Sequence, residues 1–398
     1  MSVKLPIYLD HNATTPMDER VFDVMRPYFM EVFGNAASKG HSFGWEAEAA
    51  CDKARQQVAS LIGGRPEGVI FTSGATESDN LAIKGIACRL KNKGRHIVTQ
   101  VTEHKAVLDV CKKLQKEGCE VTWLQVDRRG RIDLDELRNS IRPDTILVTI
   151  MAANNEIGTL YPMREIGRIC RERGVLLHSD ATQAVGKVPV DVEADCIDLL
   201  SLTGHKMYGP KGAGALYVRP APRVELDAII DGGGHERGCR SGTLNVPGIV
   251  GLGAACEVAM REMPRDGARL EQLRDKLERG LMEHVDNVIV NGDPDNRLPH
   301  MTNLTFAGVE SEELMLAACD VAVSSGSACS SATSHSSYVL RACGVSEADA
   351  QSSLRFALGR RTTDEEIDYV VEQFSRTIGK ARGMTPSPLL RGEGWGEG

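Results

Sequence analysis

From residue 45 to residue 218 short apolar runs alternate with amphipathic ones, and no other feature narrows the fold as much. The apolar runs fall at 69–71, 96–101, 120–126, 145–151, 175–178, 196–202 and 215–218. Apolar residues recur at helical spacing over 45–62, from about residue 76, and over 105–117, 134–141 and 163–173. Strand and helix taking turns in this way predict an α/β fold with a mostly parallel seven-stranded sheet covered on both faces. After Val246 the rhythm changes. Two helical stretches, 248–263 and 265–284, lead to strands near 287–290, 303–306 and 354–357 and to helices near 312–319 and 364–382. A chain of 398 residues exceeds one ordinary core. The expectation is a large domain over 15–260 and a smaller α+β C-terminal domain made of 261–383 together with 1–14. The stretch 384–398 is rich in Gly, Pro and charge and reads as a disordered tail.

A parallel sheet binds ligands at the carboxyl ends of its strands. One apolar run ends in His178-Ser-Asp180, and another, Ile197-Asp-Leu-Leu-Ser-Leu, runs into Thr203-Gly-His205-Lys206. Alone, such a lysine is a solvated surface group and such an aspartate a turn residue or helix cap. Together at one edge they are the minimum equipment for pyridoxal 5'-phosphate (PLP). The lysine forms the Schiff base, and the aspartate keeps the pyridine nitrogen protonated so that the ring acts as an electron sink.

Other segments fall at similar places. Ser73-Gly-Ala75-Thr76 lies between a strand and a helix, where small residues let backbone N–H groups approach an anion; by itself it reads equally as a capping turn. His104 opens a helix after a strand and could stack on a flat cofactor or move a proton, or simply cap that helix. Asn154-Asn155-Glu156 follows the strand ending near Met151. Arg240-Ser-Gly-Thr243 follows Gly232-Gly-Gly234 and offers a guanidinium and two hydroxyls to a phosphate. Arg355, inside a strand, needs a partner: a substrate carboxylate held bidentately, or an internal ion pair.

The net charge of -8 argues against a nucleic-acid surface. No apolar run is long enough to span a bilayer, and the first residues lack the apolar core of a signal peptide. Eleven cysteines, an odd number without a Cys-x-x-Cys pair, read as unpaired thiols in a reducing cytoplasm, with no structural zinc site. Cys329 differs from the rest. Small polar residues surround it over 323–337, which favours a reactive thiol on a mobile loop over a small buried hydrophobe.

Several motifs run in order along the chain. They are Tyr8-Leu-Asp-His-Asn-Ala-Thr-Thr-Pro16, Phe71-Thr-Ser-Gly-Ala-Thr-Glu-Ser-Asp-Asn-Leu81, Thr102-Glu-His104, Asn154-Asn-Glu-Ile-Gly158, Asp180-Ala-Thr-Gln183, Gly204-His-Lys206, Arg240-Ser-Gly-Thr243 and Ser324-Ser-Gly-Ser-Ala-Cys329. With them the chain resembles the cysteine desulfurases of the IscS/NifS type, fold-type-I PLP enzymes of the class V aminotransferase family. The resemblance implies that Lys206 carries the cofactor, Asp180 pairs with its ring nitrogen, Gln183 with its phenolic oxygen, and His104 stacks on the ring. Ala75, Thr76, Thr203 and His205 would hold the phosphate, joined by Thr243 from the second subunit of a homodimer. Asn155 and Arg355 would bind the carboxylate of L-cysteine. Cys329 would take the sulfur as a persulfide, release L-alanine, and pass the sulfur to an iron–sulfur scaffold or to tRNA thiolation. No resident metal is implied, although Cys329 could ligate a transferred iron–sulfur cluster. A selenocysteine lyase, or another class V PLP enzyme, would share the fold and most of these residues. Two departures leave the acceptor open: Ser334-His335-Ser336 replaces the family's Leu-Glu-Pro, and the tail after Gly383 is unlike the family's C-terminus.

Overall fold

The structure, a computed structural model, describes residues 3–325 and 336–383; Cys329 and the stretch 384–398 lie outside the described residues. The seven apolar runs form one seven-stranded sheet. Its spatial order is Val69–Thr72, Gly214–Val218, Leu199–Thr203, Leu176–Asp180, Thr145–Thr149, His96–Gln100 and Glu120–Leu124. Six strands share one direction, and Gly214–Val218 runs against both its neighbours. Loop length explains the exception. The link from Thr203 to Gly214 is shorter than the dozen or so residues a parallel crossover needs, so the chain turns back beside the strand it has just left.

Five strands, Val69–Thr72, His96–Gln100, Thr145–Thr149, Leu199–Thr203 and Gly214–Val218, are buried at every position, as a sheet covered on both faces requires. One face packs Val58, Ile166 and Leu252 into a shared core. The other packs Leu81, Ile86, Val107 and Leu114 from the helices Ala75–Arg89 and Lys105–Lys116.

A second sheet of four antiparallel strands runs in the order Ser324–Ser325, Ser353–Ala357, Met301–Phe306, Val288–Val290. Its core holds Phe306, Phe356 and Phe374 edge to face, together with Ile7 and Leu9 from the start of the chain. The two helical stretches expected after Val246 are one helix, Val246–His284, with Pro264 inside it. The proline removes one backbone hydrogen bond. Packing on either side carries the helix through: Leu252 and Cys256 belong to the core of the large sheet, Leu273 and Leu277 to the core of the second. The change of core near residue 260 therefore falls within a continuous helix and not at a linker. Among the described residues no helix is long and apolar enough to cross a membrane.

Candidate functional site

The strand ends Asp180 and Thr203 open on a cavity of about 560 Å³, within the range of small-ligand sites. Ala75, Thr76, His104, Asn155, Gln183, His205, Lys206 and Arg355 complete the walls expected from the sequence. Thr243 does not line the cavity of its own chain. It is exposed, although Arg240 in the same loop donates to Glu77, a wall residue, at 2.7 Å.

Thr72, Gly214 and Thr203 stand in register at the sheet edge. A Cβ on Gly214 would lie 2.6 Å from the Cα of Gly74, so glycine is what lets the turn after Thr72 rest on the sheet. The helix Ala75–Arg89 starts at that turn with no side-chain cap, which leaves first-turn N–H groups for an anion in the cavity. Lys206 ends a short 3-10 turn after the strand Leu199–Thr203. Its Nζ donates to the carbonyl oxygens of Asn12 (2.5 Å) and Ala13 (2.6 Å). On the adjacent strand Asp180 pairs in register with Ser201, and its Oδ1 accepts from the Thr182 N–H at 3.0 Å.

The opposite wall is assembled from remote segments. Arg355 donates through Nη2 to Asp10 Oδ1 (2.7 Å) and to Ser324 Oγ (3.2 Å), and through Nη1 to the Asn155 carbonyl (2.9 Å). Arg355 therefore has the internal ion pair that one sequence reading gave it, and its buried Nε has no hydrogen-bond partner. Asn155 Oδ1 is also buried without a partner. Asn12 ties the two walls together. Its Nδ2 donates to the Asn155 carbonyl at 3.1 Å, and its own carbonyl accepts from Gln183 and Lys206. Sequence reasoning gave Asn12 no role; the available signal was a polar run placed directly after the apolar Ile7–Leu9.

Burial governs the titrating groups. It lowers His104, whose Nδ1 accepts from the Ala106 N–H at 3.2 Å, so the neutral ring carries its proton on Nε2. Burial and then Lys206 hold His205 down to about 4. Behind Asp180, burial brings His178 to about 4, between the hydroxyls of Thr149 and Ser201. Two further carboxylates near Asp180 are pushed towards the neutral form. Asp79 is raised well above the usual range by burial and by Asp180, and Glu103 is pushed up to about 8, chiefly by burial. At Glu77 burial opposes ionisation, but hydrogen bonds from Arg240 and Ser73 outweigh it and hold the carboxyl below its ordinary range.

These residues fit PLP. The uncapped helix N-terminus with Thr76, Thr203 and His205 suits a phosphate, Asp180 a ring nitrogen and Lys206 an aldehyde. The unpartnered Arg355 Nε and Asn155 Oδ1 leave a donor and an acceptor for an amino acid.

The profile of the aminotransferase class-V family matches residues 7–370. A cysteine desulfurase IscS from Anaeromyxobacter dehalogenans (strain 2CP-C) is 56% identical over 384 residues, covering 96% of this chain and 95% of that protein. Among solved structures, a NIFS-like protein superposes with a TM-score of 0.88 at 38% identity, over 94% of this chain and 99% of the other. SspA in complex with cysteine superposes with a TM-score of 0.79, also at 38% identity, over 88% and 98%. On this likeness of sequence, fold and cavity, the chain belongs to the class-V aminotransferase family, among its IscS/NifS-type cysteine desulfurases.

Proposed function

We propose that this protein is a PLP-dependent cysteine desulfurase that converts L-cysteine to L-alanine and carries the sulfur on Cys329 as a persulfide, for iron–sulfur cluster assembly or tRNA thiolation. The observation that carries this reading is the opening of Lys206, Asp180 and an uncapped helix N-terminus onto one cavity. PLP, when bound, supplies an electron sink for the bonds at the substrate's α- and β-carbons.

The chain's own groups do the rest. Lys206 leaves the carbonyls of Asn12 and Ala13 to hold the cofactor, then moves the proton at the substrate α-carbon. Asp180 would keep a proton on the ring nitrogen. Gln183 would donate to the phenolic oxygen, and the neutral imidazole of His104 would stack on the ring. The N–H groups at Ala75 and Thr76, with Thr203 and His205, hold the phosphate. Arg355 and Asn155 orient the substrate carboxylate. The Cys329 thiol gives its proton to the substrate amine or, once its Nδ1 has released the Ala106 N–H, to His104, and attacks the substrate sulfur. An S–S bond forms and the C–S bond breaks. Its electron pair passes to carbon, which takes up a proton to give alanine.

Thr243 completes the phosphate site of the partner in a homodimer; its exposure outside its own cavity supports this. The ten described cysteines, all unpaired, support a reducing cytoplasm. The division into 15–260 and 261–383 with 1–14 has its boundary inside the helix Val246–His284.

The test joins a spectrum to a product assay. Protein loaded with PLP is expected to absorb near ~420 nm and to release alanine from L-cysteine. Cys329→Ser should keep the band and lose alanine and sulfide release. Turnover by the serine variant at the wild-type rate, or extra sulfur mapping to Cys239 or Cys343, would refute the assignment.

A further inference from the structure

Lys187 has no part in the reaction described above, yet it touches two residues that do. Its Nζ donates to Gln183 Oε1 at 2.6 Å and reaches Asn12 Oδ1 at 3.3 Å. The other end of the Gln183 amide, Nε2, donates to the Asn12 carbonyl at 3.0 Å. The two ends of a primary amide have nearly the same shape, so its direction is set by its neighbours. Here both neighbours agree. A flipped Gln183 would set its NH₂ against the donor Lys187 and its carbonyl against the carbonyl of Asn12. The Asn12 acceptor is a backbone carbonyl, which no side-chain turn removes, and the Asn12 side chain is itself held, its Oδ1 by His300 Nε2 at 2.7 Å and its Nδ2 on the Asn155 carbonyl at 3.1 Å.

We propose that Lys187 is a positioning residue that occupies the Gln183 carbonyl, so that Gln183 can only donate into the cavity. One Gln183 N–H is used on Asn12, and the second is the polar hydrogen left for a ligand. That wall then selects an acceptor oxygen with anionic character. The inference rests on the cofactor reading, in which the oxygen is the phenolic oxygen of PLP.

The surroundings of Lys187 offer no simpler reason for an amine there. The titrating and charged groups that face it are Lys206, Arg355, His300, His11 and His205, all basic. Among the described residues no carboxylate forms an ion pair with it. Burial, then Lys206 and Arg355, pull its ammonium well below the ordinary lysine range. This does not weaken its role, since a neutral amine still carries N–H donors. An amine placed among cations costs stability rather than adding to it; the bond to Gln183 is what it supplies.

The readout is the pH at which the holoenzyme, without substrate, loses half its band near ~420 nm. In the protonated form the phenolic oxygen shares the proton on the neighbouring nitrogen. A donor on that oxygen draws off part of its negative charge and lets the proton leave at lower pH. Lys187→Met should raise the midpoint by about one unit, the value of one hydrogen bond to a charged oxygen. Lys187→Gln keeps an N–H donor without the charge and should stay within about 0.3 unit of wild type. In a Gln183→Leu background Lys187→Met should add no further shift. An unmoved midpoint in Lys187→Met would overturn the proposal. So would an equal rise in both Lys187 variants, or a full shift surviving in the leucine background, since each points to charge and not to orientation. Should the methionine variant not fold, Lys187→Gln decides alone: a rise of about one unit overturns the proposal and an unchanged midpoint supports it. A wild type with no band near ~420 nm refutes the cofactor reading itself, a failure distinct from a band whose midpoint does not move.

Discussion

On one side of the cavity Asp180, Thr203 and Lys206 stand at the ends of neighbouring strands, joined by in-register pairing. On the other, Asn155 and Arg355 meet across 200 residues of chain, and Arg355 and Asp10 across 345. The first wall takes its geometry from a sheet buried on both faces. In the second, Arg355 pairs in register with Ser324 and Asp10 bridges the same strand at Ala357, but only a few polar contacts join that strand to Asn155 and so to the large sheet. Substitutions on the first wall should therefore remove chemistry or disturb the fold. Those on the second should act mainly on the affinity for substrate.

The largest effect is expected at Lys206. No neighbouring residue supplies an equivalent amine in the same place: Lys187 is engaged with Gln183, and Lys211 lies beyond the turn. Lys206→Ala should lower turnover by about 10³-fold or more and abolish covalent attachment of the cofactor. Borohydride reduction followed by peptide mapping locates the attachment in the wild type. A label on Lys211 would show that the strand-end wall does not hold the cofactor as described.

The same wall conceals a pH dependence. Glu103 is buried; its Oε1 accepts from Gln100 Nε2 and from the Met151 N–H, and its Oε2 has no partner. Its carboxyl, pushed up to about 8 by burial, starts from 4.5 in the unfolded chain. Between those two pH values the folded state binds the extra proton. The stability it confers is complete below 4.5 and is lost as pH rises through 8. Glu103→Gln imitates the protonated form and keeps an oxygen for both donors. The variant should match wild type near pH 5 and exceed it at pH 9 by about 3–5 kcal/mol. Unfolding midpoints taken from pH 5 to pH 9 test this, and parallel curves for the two proteins would count against a neutral buried carboxyl.

The contrast between the walls also explains what could be read from the sequence. Asp180 and Lys206 were legible because each ends an apolar run, and the alternation of runs places such ends at one edge. The reversal of Gly214–Val218 was not, because direction depends on the short link that precedes it and not on the strand's own residues. The helix across Pro264 was missed for a related reason: a proline argues locally for a break, while packing in two cores holds the helix together. Asn12 and Lys187 were passed over because an asparagine after a strand and a lysine in a turn ordinarily face water. Only the meeting of the N-terminal segment with the strand ends gives them partners. The assignment of Cys329 rests on sequence, since that residue lies outside the described ones.

On the second wall Arg355→Gln should raise KM for L-cysteine by about 100-fold, as expected for loss of a charged, bidentate carboxylate contact. The band near ~420 nm should be unaltered, because the hydrogen bonds of Arg355 among the described residues run to Asp10, Ser324 and Asn155. Loss of the band in this variant would mean that the two walls are not separable.

The smallest effect, at Asp10, separates orientation from charge within that second wall. Asp10 Oδ1 accepts from Arg355 Nη2 at 2.7 Å, so its carboxylate competes with a substrate carboxylate for the same guanidinium. It also helps to aim that guanidinium, together with the Asn155 carbonyl and Ser324 Oγ. Asp10→Asn keeps an oxygen acceptor of the same reach and removes the competing charge. KM for L-cysteine should fall by about threefold, a difference well under the full value of a buried ion pair because two other acceptors still hold Arg355. Asp10→Ala removes charge and acceptor together, and there KM should rise. A rise in both variants would mean that the negative charge of Asp10 is itself needed to hold Arg355 in place. The second wall would then be as rigidly specified as the strand ends opposite, and the distinction between the two walls would fail.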